Sequence, residues 1–134
     1  MISSLKIGVV SCSGEGCVEG TISRIATRLV LERLPENTVT ICLPLFLTGE
    51  KGERMFAKFF PTISVDGCEK ECAKRAIEKY SDKVTHSIVV TELFEKKDIE
   101  NCGTRRVLNK KGLESASMIV DKIENIIDAL LIKR

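Results

Sequence analysis

Residues 5–35, "LKIGVVSCSGEGCVEGTISRIATRLVLERLP", carry the pattern that decides the fold. The run 5–11 is almost continuously apolar at its centre, which suits a strand covered on both faces within a parallel sheet. Over 20–34 the period changes. Ile22, Ile25, Ala26, Leu29 and Val30 share one face of a helix, with Arg24, Arg28 and Glu32 opposite. Pro35 stops that helix. A buried strand feeding an amphipathic helix through a short loop is half of a βαβ unit.

The same alternation continues outward. "TVTICL" (38–43), "PTISV" (61–65) and "HSIVVTE" (86–92) read as three more strands, each rich in Val, Ile or Thr. Residues 69–80 put Cys72, Ala73, Ala76, Ile77 and Tyr80 on one helical face. Residues 111–132 repeat the pattern through Leu113, Ala116, Ile119, Val120, Ile123, Ile126, Ile127 and Leu130. Residues 49–58 carry a short helical signal. Alternating strands and helices imply right-handed crossovers and parallel pairing. The expected fold is α/β: one small three-layer, doubly wound domain spanning 1–134. Its sheet is mainly parallel, four- or five-stranded, with the flavodoxin-like or Rossmann-like order 2-1-3-4.

Composition narrows the function classes. The 134 residues are 43% hydrophobic and 30% charged, with a formal net charge of +2. This composition supports a folded core and excludes disorder. The near-neutral charge, with one Tyr and no Trp, gives no basic, aromatic-laced stripe for nucleic acid. No apolar run is long enough for a membrane span. The opening "MISSLKIGVVSCSG" reads as a first strand and not as a signal peptide. The expected compartment is the cytoplasm, where the six cysteines stay reduced.

Clustered cytosolic cysteines suggest metal binding or catalysis. On the expected frame Cys12 ends the first strand, Cys42 the second, and Cys68 follows the third with Cys72 in the next helix. Cys17 and Cys102 fall in loops after the first and fourth strands. All six sit at or beyond strand C-terminal ends, the edge where open α/β sheets bind ligands. In the order 2-1-3, Cys12, Cys42 and Cys68 stand side by side, and Cys72 is able to close a tetrahedral corner. The alternative use of such thiols is packing, because free cysteine behaves as a small hydrophobe. Cys42, inside "TICLPL", suits that use best.

"VDGCEKECAK" (65–74) resembles the signature of the DGC domain, a family named after its Asp-Gly-Cys motif. "CSGEG" after the first strand, "CLPLF" near the second and "VTEL" at the fourth agree with it, so the resemblance covers about residues 5–95. The family's four cysteines are proposed as zinc ligands. The resemblance therefore implies one zinc per chain, held by Cys12, Cys42, Cys68 and Cys72, with a structural or metal-handling role and no stated reaction. Cys17 and Cys102 lie outside that pattern as additional thiols, and Cys17 competes with Cys42 for the fourth place.

Two other uses of the thiols stand beside zinc. One is redox or sulfur-transfer chemistry with Cys12 or Cys68 as nucleophile, resolved by a further thiol. The other is an iron–sulfur cluster, although close-spaced ligands are missing. "CSGEGCVEGT" lacks the Gly-Lys-Ser/Thr ending of a phosphate loop, and its glycines miss the dinucleotide spacing. Val18 occupies the place where a cysteine phosphatase of this layout needs Arg. His86, the single histidine, falls at the opposite edge and is no base for these thiols. Asp66 and Glu92 are second-shell candidates, Asp66 also being suited to orienting a backbone N–H. The charged runs 95–100 and 109–111 read as solvated surface.

Overall fold

The computed structural model describes residues 5–132. The first four residues of the opening segment and the last two of the chain lie outside that range. In chain order the elements are β1 (Ile7–Ser11), α1 (Val18–Arg33), β2 (Thr38–Val39), α2 (Leu43–Thr48), α3 (Lys51–Arg54) and α4 (Phe56–Phe59). There follow β3 (Thr62–Asp66), α5 (Cys72–Tyr80), β4 (His86–Val89), α6 (Val90–Leu93), α7 (Lys96–Glu100) and α8 (Lys110–Ile132). The four strands are all parallel, as the sequence pattern predicts, and are ordered β2-β1-β3-β4, the order expected of the fold class.

Both faces of the sheet are covered, which explains the nearly continuous apolar centre of β1 and the burial of every residue of β3, polar ones included. On one face Ile7, Val9, Ile63, Val65 and Ile88 pack against Ile22, Ala26 and Val30 of α1 and Ala116, Ile119, Ile123 and Ile127 of α8. On the other, Val10 meets Leu43 and Phe46 of α2, Phe56 of α4 and Ala73 and Ile77 of α5. Leu29 and Leu113, assigned to buried faces by their spacing, are exposed, so the buried stripes of α1 and α8 are narrower than their apolar patterns. Arg33 bridges from α1 to Glu124 on α8 at 3.1 Å, a surface pair of small energetic weight.

Three elements depart from expectation. β2 has two residues, where six were expected, and pairs only as Ile7↔Thr38 and Gly8↔Val39. Pro44 sits in the first turn of α2, where a missing N–H costs nothing, so the chain leaves the sheet and enters a helix at Leu43. β4 ends at Val89 because its neighbour β3 ends opposite it, at Asp66. Beyond it only the Thr91 amide, donating to the Gly67 carbonyl at 3.2 Å, continues the contact, and "VTEL" turns into α6 and is not strand. The run 95–100 contains α7, anchored by buried Ile99, so it is not simply solvated surface.

Candidate metal centre

The loops after β1 and β3 meet at the C-terminal edge of the sheet, and "DGC" shows how. Asp66 is 1% exposed. Its carboxylate accepts the Ala73 amide at 2.8 Å and the Lys74 amide at 3.1 Å. These are free N–H groups of the first turn of α5, so Asp66 caps that helix from six residues upstream. Burial pushes its carboxyl above the usual carboxylate range, and the two amide donors only partly oppose this. The cap folds residues 67–71 back over the strand end and leaves Cys72 as the first residue of α5. Asp66→Ala is expected to cost about 2–3 kcal/mol, since two buried amides lose a charged acceptor. Chemical denaturation of wild type and variant checks this.

Gly67 lies against the backbone of α1. A Cβ built there would stand 2.4 Å from the Gly20 nitrogen, 2.5 Å from its Cα and 2.7 Å from the Glu19 carbonyl carbon. Gly14 completes the contact from the β1 loop. Its φ is +71°, and a Cβ there would meet the Gly20 carbonyl oxygen at 2.5 Å. The glycines of "CSGEGCVEGT" therefore serve backbone-to-backbone packing. That packing holds the Cys12–Cys17 loop against the Cys68–Cys72 loop.

Four thiols consequently surround one cavity of about 460 Å³: Cys12, Cys17, Cys68 and Cys72, with Glu19 and Leu43 also in its wall. Cys12 is the first residue beyond β1, and its amide donates to Val65 at 3.1 Å. Its Sγ lies 3.3 Å from the Ser23 hydroxyl. Ser23 donates its own proton to the Gly20 carbonyl at 2.7 Å, so the Cys12 S–H is the donor between the two side chains. Cys17 is the N-cap residue of α1. Burial pushes its thiol up to about 11, helped by the charges of Glu19 and Cys68 and opposed by a hydrogen bond from the Gly20 amide. Cys68 is half-buried and Cys72 exposed.

The remaining predicted residues fall elsewhere. Cys42 is exposed, so the reading that it is core packing is corrected. It stands three residues beyond β2, at the N-cap of α2, and lines a neighbouring cavity of about 430 Å³ with Cys12. Cys102 corrects the expectation that all six thiols share one edge. It follows α7, is 1% exposed, donates to the Asp98 carbonyl at 3.2 Å and packs into the core beneath α8. Glu92 is exposed on α6 and lines neither cavity, so the structure gives no sign of a second-shell place for it. His86 is exposed at the start of β4, away from the thiols, as expected.

The donor chemistry of the main cavity suits a soft or borderline metal, because four thiols face one space. The geometry is not closed around a point. Among the described residues no three His, Cys, Asp or Glu side chains stand close enough together to hold an ion. Ligation would require the side chains to converge and the Cys17 thiol, if used, to give up its proton. Sequence reasoning undervalued Cys17 by starting α1 two residues late. The signal for its place was the Cys-Val-Glu-Gly step into the helix.

Two curated relatives are similar in sequence: "ATPase GET3" of Chaetomium globosum, 32% identical, and "ATPase get3" of Neurospora crassa, 31% identical, each over 119 residues. Those residues are 87% of this chain but 29% of either relative, so the chain spans less than a third of their length. No solved structure matches the chain. The sequence pattern of the DGC domain matches residues 8–123, and the chain belongs to the DGC domain family.

Proposed function

We propose that this domain binds one zinc ion through thiolates at the C-terminal edge of its sheet, in a structural or metal-handling role. The observation that carries this reading is the presence of Cys12, Cys17, Cys68 and Cys72 in the wall of one cavity. Cys12, Cys68 and Cys72 belong both to that cavity and to the ligand set that the family resemblance implies. For the fourth place the cavity favours Cys17, whereas the resemblance names Cys42, which opens on the neighbouring space. Zinc bound by four thiolates would be coordinatively saturated and would tie the β1 and β3 loops together. Ser23 would then turn its proton toward the Cys12 thiolate, and Asp66 would keep Cys72 in place by holding α5.

ATP hydrolysis, which the relatives' names state for those proteins, is not carried to this chain. Its glycine loop has no Gly-Lys-Ser/Thr ending, and Gly14 and Gly20 are in contact with each other instead of framing an open phosphate cradle.

Elemental analysis of anaerobically purified single variants tests the ligand set. Cys42→Ser is expected to keep the wild-type metal content. Cys17→Ser is expected to bind zinc more than about tenfold more weakly, at least the loss typical of second-shell changes. The reverse pattern would give the fourth place to Cys42. Full zinc retention in both variants would contradict a four-thiolate site drawn from these residues.

A further inference from the structure

Beside the thiol cavity lies a feature that metal binding leaves unexplained. Arg24 and Arg28 sit one turn apart on α1, on the face whose spacing reads as solvated. Both line the 430 Å³ cavity next to Cys12, together with Ser13 and Thr40. Arg24 also lines a second cavity of about 380 Å³, whose walls include Arg105 and Arg106. The two spaces adjoin at Arg24 and Glu15, which stand in the walls of both, so four arginines border this region, with Arg24 at its centre.

That region has two marks of a binding site. The Arg24 Nε is buried and has no hydrogen-bond partner. A buried N–H of a permanently charged group is costly to leave unpaired, and native structures rarely do so without a ligand, ion or water. Moreover, none of these four arginines forms an ion pair among the described residues, although Glu15 is close by. The loop bearing Arg105 and Arg106 is also held in position. The Thr104 hydroxyl accepts the amides of Arg106 and Val107 at 3.2 and 3.1 Å. The Thr21 hydroxyl lies in hydrogen-bonding range of both the Gly14 and Arg105 carbonyls, joining this loop to the glycine loop.

We propose that this cleft binds a tetrahedral oxyanion group, as a phosphomonoester or the free ion, with Arg24 as its central donor and Arg28, Arg105 and Arg106 around it. Guanidinium groups match such anions by paired, charge-assisted hydrogen bonds. The volume is in the range of small-molecule sites, larger than a single inorganic ion needs. Glu15 faces the same space and opposes an anion, so it limits affinity. The assignment is independent of which thiols hold metal.

Calorimetric titration of the protein as purified tests it, with inorganic phosphate and adenosine monophosphate as separate probes. Saturable binding of either probe is expected. Arg24→Gln should weaken it at least about tenfold, the loss of one charged hydrogen bond. Arg24→Lys should recover only part of this, because lysine keeps the charge but lacks Nε. Glu15→Gln should tighten binding, and Arg33→Gln, on the far end of α1, should leave it unchanged. Should Arg24→Gln not fold, the surface double variant Arg105→Gln/Arg106→Gln must show the weakening. Binding of the nucleotide alone identifies a phosphomonoester, and binding of phosphate alone identifies the free ion. The proposal is overturned if neither probe binds, or if binding is the same in the Arg24 and Arg105/Arg106 variants as in wild type.

Discussion

Gly67→Ala is expected to remove much of the stability of this domain. The added methyl would meet three atoms at 2.4–2.7 Å, all of them main chain of Glu19 and Gly20. No side-chain rotation relieves such a contact; the β3 loop and α1 must separate. Overpacking in a core commonly costs 1–3 kcal/mol, and a rigid backbone neighbour places this case at about 3 kcal/mol or more. Against a typical total of about 5–15 kcal/mol, that lowers the melting temperature by about 10 °C. Because the same separation pulls the Cys68 loop away from Cys12 and Cys17, metal content should fall with stability. Gly52→Ala is the matched control: nothing lies within 4 Å of a Cβ there, in the middle of α3. It should be neutral or stabilising by up to about 1 kcal/mol. Thermal melts followed by circular dichroism compare the two. A Gly67→Ala protein melting within about 2 °C of wild type, less than a 1 kcal/mol change gives at this size, would show that the loops are not held by this contact.

Cys68→Ser carries the second large effect. Serine is nearly isosteric with cysteine but supplies no thiolate, so the backbone of the DGC turn is preserved while a proposed ligand is lost. Zinc content is expected to fall from one ion per chain to a small fraction. Metal-binding energy in small domains is also folding energy, so the variant should melt where chelator-treated wild type melts and should not respond to chelator. Cys102→Ser provides the contrast. It alters a thiol buried at 1% exposure in the core, so it should lower stability modestly and leave metal content untouched. Zinc retention by Cys68→Ser would remove Cys68 from the site.

The outline of this fold was open to sequence reasoning because its strands are covered on both faces. β1 reads as a nearly continuous apolar run, β3 as a short Ile- and Val-bearing one, and α1 and α8 announce themselves by period. What composition does not display is where pairing stops. β2 has the same Thr and Val content as a full strand, yet Pro44 draws the chain into α2. "VTEL" has strand propensity, yet β3 ends at Asp66 and beyond it only the Gly67 carbonyl is met, by the Thr91 amide. The early end of β2 decides where Cys42 stands, exposed at the N-cap of α2 and not in the core. The role of Asp66 as a cap was among the readings its position allows, whereas the contact between Gly67 and Gly20 joins residues 47 positions apart (67 − 20) and leaves no local trace. Cys17 became legible as a cavity thiol only once α1 was seen to begin at Val18.

The most direct test of the metal reading is elemental analysis of anaerobically purified protein, combined with thiol titration before and after chelation. One zinc ion per chain, with four thiols becoming reactive only when zinc is removed, is the predicted result. A metal-free protein with one unusually reactive thiol would contradict it and favour nucleophilic sulfur chemistry at Cys12 or Cys68. Stoichiometric iron with a brown chromophore would likewise contradict it, assigning the same thiols to a cluster.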